Sequence, residues 1–177
     1  MNRLIIIGNG FDLAHGLPTS YKNFIDDYWG NVIKESKDKD VYDDELFSLN
    51  LNMRSIGPQG RYEFTNDIKC YKTLRQFTRR NNKYCTQDFK NKFFLHLSDV
   101  AVVENWVDIE NLYYGILKER AKGNFYTYNY PWEVKQLNLE FDQVKVLLEK
   151  YLKDNVLNSF QLGNFKDSKG EIFKFSN

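Results

Sequence analysis

A chain of 177 residues, 42% apolar and 16% aromatic, is long enough for one domain with a substantial core and too rich in Phe and Tyr for wholesale disorder. Its 25 basic and 24 acidic residues leave a net charge of +1, which argues against an overall field for nucleic acid or anionic lipid and leaves room only for local basic patches. Cys70 and Cys85 are too few and too far apart for a zinc knuckle or a disulfide framework, no signal peptide or membrane-length apolar run is visible, and the chain reads as a cytoplasmic protein with reduced thiols.

The first element is the apolar run within Arg3 to Gly8, largely β-branched and without alternation. A strand buried on both faces of a parallel sheet has this pattern. Gly8-Asn9-Gly10 ends it, Phe11 to His15 fit one helical turn, and Gly16-Leu17-Pro18 break that turn. Thr19 or Ser20 can cap a new helix, whose apolar face is Tyr21, Phe24, Ile25 and Tyr28 and which runs to about Trp29 or a little beyond. Residues 34–60 read as a mobile insertion: Lys34 to Asp44 is charged, and Arg54 to Gln59 is a loop around Gly57 and Pro58.

From Lys69 the pattern turns largely helical, with one helix from about Gln87 to Asp99 carrying Phe89, Phe93, His96 and Leu97 on one face. Trp106, Ile109, Leu112, Tyr113, Ile116 and Leu117 mark the next helix, and Lys122 to Pro131 interrupts. Val134, Leu137, Phe141, Val144, Leu148 and Tyr151 then give the clearest amphipathic helix, about 20 residues long by its three- and four-residue steps. Its stripe packs on the protein's own core or on a partner helix. Residues 159–177 form a polar tail. With a single strand of the buried parallel type, the expected fold is α/β: a Rossmann-like strand-loop-helix, a mostly helical remainder and an incomplete parallel sheet whose further strands belong to a C-terminal part.

A strand that ends in Gly-x-Gly and leads into a helix has the geometry of a phosphate-binding loop, because glycine lets the backbone approach an anion that the helix start favours. Leu13 stands where a third glycine would complete Gly-x-Gly-x-x-Gly, and no Walker lysine follows, so a purely structural turn remains the alternative. Asp12 fits a ribose contact or a helix cap. His15 fits acid–base chemistry near a ligand or a backbone contact. Asp12 and His15 are the candidate catalytic residues, and Gly8, Asn9, Gly10, Phe11, Asp12, His15, Gly16 and Thr19 the candidate cofactor-binding set.

The run Gly8-Asn9-Gly10-Phe11-Asp12-Leu13-Ala14-His15-Gly16-Leu17-Pro18-Thr19-Ser20-Tyr21 resembles the opening motif of the AbiH family of bacterial abortive-infection proteins. Asn105 to Asn111 is similar to that family's Trp-x-Asp-x-Glu segment, and the helix from Val134 to Leu152 to its middle region. Gly8, Gly10, Gly16 and Pro18 also match the opening pattern of sirtuin-like proteins, with Asn9 in place of alanine and Asp12 in place of serine. The resemblance implies anti-phage defence by the N-terminal part of an AbiH-like protein. It also implies a sirtuin-like site for NAD or a related nucleotide; no metal is predicted, since the two cysteines do not suit a zinc site. The catalytic version is a nucleotide-processing hydrolase completed by a C-terminal part; the alternative is a non-catalytic module or remnant that senses a phage-derived trigger or a host protein.

Three further groups have both chemical and structural readings. Asp108 and Glu110 sit at a helix entry, two residues apart, and suit dipole complementarity better than shared chelation. His96 reads as a core histidine. Lys72, Arg75, Arg79 and Arg80, with Phe77 and Tyr84, form a basic cluster that either touches nucleic acid or is a solvated helix face.

Overall fold

The computed structural model describes residues 16–104, 108–122 and 133–157. Within them the order is α1 (Tyr21–Lys39), β1 (Val41–Asp43), β2 (Phe47–Leu51), α2 (Met53–Asn66), α3 (Tyr71–Arg80), β3 (Cys85–Phe89), α4 (Lys92–Val103), α5 (Ile109–Ala121) and α6 (Val134–Tyr151), which runs into a π-helical turn over Leu152–Leu157.

The expected α/β Rossmann-like architecture is not what these residues build. The strands form one small antiparallel sheet in the order β1-β2-β3, with Tyr42 opposite Leu49 and Leu49 opposite Gln87. Its central strand buries Phe47, Leu49 and Leu51 and turns Ser48 and Asn50 the other way. This one-sided alternation belongs to antiparallel sheets, whereas parallel strands are covered on both faces. No parallel sheet occurs among the described residues, and the apolar run of residues 4–7 lies outside them.

Both β1 and β2 come from the stretch 34–60, expected as an insertion, and this stretch also supplies the buried Leu46, Phe47, Leu49, Leu51 and Met53. It is part of the core. Asp44 sets the hairpin: its Oδ1 accepts from the backbone N–H groups of Leu46 and Phe47, both at 2.8 Å, and its carboxylate also receives the Tyr28 and Tyr42 hydroxyls.

α1 passes Trp29 and continues to Lys39, because Val32, Ile33 and Ser36 prolong the buried stripe beyond Gly30. A glycine inside a helix costs only about 1 kcal/mol relative to alanine, which this burial exceeds. Asp40, in the left-handed region at φ 59°, ends the helix. The expected loop at Arg54 to Gln59 is instead a kink within α2, where Gly57 takes φ 80° ahead of Pro58. A side chain with a Cβ resists that conformation.

Trp29 is the hub of the core. Its ring lies 4.5 Å from Tyr71, 5.0 Å from Phe47 and 5.9 Å from Phe94, so it joins α1 to α3, β2 and α4. Its indole N–H donates to Ser98 Oγ at 3.0 Å, which satisfies the one polar atom taken inside. Phe77, from the basic cluster, is fully buried and packs on Phe64 at 5.2 Å, so it is unavailable to a ligand.

α4 is clasped to α6 by polar groups in the same core. Asn91 caps α4 by accepting from the Phe94 N–H at 2.7 Å, and its amide donates to the Glu140 carbonyl at 2.8 Å and to Gln143 Oε1 at 2.9 Å. The buried Glu140 carboxylate accepts from the Phe93 N–H at 2.8 Å, where the positive end of α4 favours an anion. Among the described residues no helix is long and apolar enough to cross a membrane.

Candidate functional site

Gly8, Asn9, Gly10, Phe11, Asp12 and His15 lie outside the described residues; Gly16 and Thr19 are the two members of the candidate set whose geometry is defined. Gly16 takes φ +76°, and a Cβ placed there would meet nothing within 4 Å. Its glycine is therefore required by backbone conformation rather than by crowding. The chain then turns through Leu17 and Pro18, with the Thr19 N–H donating to the Leu17 carbonyl at 2.9 Å.

Ser20, not Thr19, caps α1: its Oγ accepts from the Asn23 N–H at 3.1 Å. The Thr19 hydroxyl is buried and makes no hydrogen bond among the described residues. A buried polar group without a partner costs about 1–3 kcal/mol, so this oxygen marks a place where a donor or acceptor would be favourable. No acidic side chain occupies the first turn of α1.

Two long-range hydrogen bonds hold this turn. Tyr151, at the end of α6, donates its hydroxyl to the Pro18 carbonyl at 2.8 Å while its ring packs 5.8 Å from Phe24. Tyr21 donates to Glu110 Oε1 at 2.6 Å. Burial, reinforced by the Glu110 and Asp108 carboxylates, holds the Tyr21 phenol above the usual tyrosine range, so it remains a donor. The three sequence segments singled out above, the opening loop, the entry to α5 and the helix α6, therefore meet at Pro18 to Tyr21.

The two carboxylates at the entry to α5 have different tasks. Asp108 caps the helix, accepting from the Asn111 N–H at 2.9 Å and from the Asn111 side chain at 2.7 Å. Glu110 reaches to Tyr21. No group of three His, Cys, Asp or Glu side chains that could hold a metal ion occurs among the described residues. His96 is half-buried on α4, and burial keeps its imidazole below the usual histidine range against the pull of Asp99.

Periodicity places Tyr151 and Glu140 on the buried stripe of α6 without revealing their polar tasks. Tyr151 ends an apolar stripe and reads as core until its hydroxyl finds Pro18. Glu140 carries a legible signal: it stands three residues after Leu137 and four before Val144, on the buried stripe itself.

No curated protein and no solved structure matches the chain. The family model described as bacteriophage abortive infection AbiH matches residues 4–173, nearly the whole chain. On that match the chain belongs to the AbiH family of bacteriophage abortive infection proteins.

Proposed function

We propose that this chain serves abortive infection by binding NAD or a related nucleotide at the loop that precedes α1. In this reading the main-chain N–H groups of Gly8, Asn9 and Gly10 face the phosphates, Asp12 engages ribose hydroxyls, and His15 borders the pocket. Gly16 turns the chain away, and the Thr19 hydroxyl takes a ligand group as its missing partner. The observation that carries the reading is the buried, unpartnered Thr19 oxygen beside a helix start whose first turn holds no acidic side chain. The left-handed Gly16 and the Gly-x-Gly of the opening sequence support it, since glycine has no side chain to keep an anion from the main chain.

Isothermal titration calorimetry of the full chain with NAD and with ADP-ribose tests the reading. Binding heat is expected with at least one of them, and weaker binding with Thr19→Val, which keeps the shape and removes the hydroxyl. An absence of heat with both ligands, from protein that melts cooperatively, ends it.

A further inference from the structure

The overall charge balance conceals a strong local asymmetry. From Lys69 to Gln87 the chain carries six basic residues, Lys69, Lys72, Arg75, Arg79, Arg80 and Lys83, and no acidic one. The rest of the chain is left with 19 basic residues against 24 acidic, a net charge of −5. The structure turns this segment into α3 and the turn that follows it. The apolar side of α3, Tyr71, Leu74 and Phe77, is buried in the core, while Lys72, Gln76 and Arg79 are exposed and Lys83 extends the row into the turn.

Two of the cations have partners: Arg80 pairs with Glu63, and Arg75 lies 5.0 Å over the Phe89 ring. Lys69, Lys72, Arg79 and Lys83 form no ion pair among the described residues. A further cation approaches from α1, where burial and then the charge of Lys69 lower the Lys37 ammonium below the usual lysine range. Like charges gathered without counter-charges repel one another, and an anionic partner relieves that repulsion.

We infer that the exposed face of α3, with Lys72, Arg79 and Lys83 at its centre, binds the phosphate backbone of a nucleic acid. Lys72 and Arg79 are seven residues apart, about 10 Å along a helix, which is the axial span of about three phosphates of one strand. The amides of Gln76 and Asn82 stand among the cations as further phosphate donors, and Tyr84, 42% exposed, follows Lys83 as a surface on which a base can stack. A membrane surface fits less well. A helix that lies on lipid buries an apolar face in it, and the apolar face of α3 is already in the protein core.

Fluorescence anisotropy of the full chain with a labelled single strand and a labelled duplex of about 20 nucleotides tests this. Binding is expected at about 50 mM salt and to weaken steeply by about 200 mM. The triple variant Lys72→Glu, Arg79→Glu, Lys83→Glu should lose at least tenfold in affinity and reduce the salt slope by about 2–3. The same change of charge at Lys145, Lys150 and Lys153 should lower affinity less than threefold. Unchanged thermal melting keeps the loss at the surface, and should the triple variant melt early, Lys72→Gln and Arg79→Gln singly carry the test, each with a loss of about two- to fivefold. No binding at low salt, equal losses from the two triple variants, equal competition by polyglutamate, or preference for vesicles rich in anionic lipid would each overturn the inference.

Discussion

Replacing Asn91 by alanine should unfasten α4 from α6, and the size of the loss can be worked from three bonds. The N-cap bond from Phe94 N–H is worth about 1 kcal/mol, within a range of roughly 0.5–2. That N–H is buried, so leaving it unpaired adds part of a desolvation penalty of about 1–3 kcal/mol. The two amide donations, to the Glu140 carbonyl and to Gln143, add about 0.5–1 kcal/mol each, since both acceptors keep other contacts or solvent. The total is about 2–4 kcal/mol, a large share of the roughly 5–15 kcal/mol that stabilises a domain. Urea unfolding followed by tryptophan fluorescence reads it directly. With a slope of about 2 kcal/mol/M, the midpoint should fall by about 1–2 M at unchanged slope. Asn91→Ser separates the two contributions, because a serine hydroxyl can cap α4 but cannot reach across to α6. Serine should recover about half of the loss. A midpoint shift below about 0.3 M for the alanine variant, or full recovery by serine, would refute the cross-helix clasp.

The two cysteines should differ sharply toward a thiol reagent: Cys70 is exposed, whereas Cys85 is buried and burial pushes its thiol up to about 11. Titration with Ellman's reagent at about pH 8 should modify Cys70 within minutes and Cys85 only after denaturant is added; two equal fast phases would contradict this burial. Burial also sets the acid response of His96. Its folded pKa lies below the unfolded value of about 6.5, so below that pH the unfolded chain binds more protons and stability falls as the solution is acidified; above it, both states are neutral and the effect vanishes. Comparing melting temperatures from about pH 8 to pH 5, His96→Gln should lessen the acid decline, with His15 present in both proteins. Parallel curves would show that His96 is not desolvated.

What was legible in the sequence was helical periodicity where one face alone is buried. The stripe of α6 and the entry to α5 stand where spacing puts them. α1 runs on to Lys39 because Val32 and Ile33 continue the buried stripe past Gly30, a residue that weakens a helix without ending it. The sheet escaped for a different reason. β3 reads Cys-Thr-Gln-Asp-Phe, with only its two ends apolar, and Phe89 lies four residues before Phe93, which mimics a helical step. β1 is three residues in a charged stretch, held by pairing rather than propensity. At the site, Thr19 and Ser20 were interchangeable as caps by residue type, and only geometry assigns the task to Ser20. That Tyr151 and Glu110 fasten the loop depends on contacts 133 and 89 residues apart in the chain, beyond what any local pattern encodes.

The Tyr151 hydroxyl on the Pro18 carbonyl has a consequence for how the molecule comes into being. The loop at the start of α1 leaves the ribosome long before α6 does, so during synthesis it waits without the strut that seats it. Closing so long a stretch of chain is entropically slow, and the turn at Pro18 should be among the last parts to acquire its native geometry. A nascent chain halted before Tyr151 would present the turn at Pro18 without its strut, and any activity that depends on that turn would begin only once the far helix has docked.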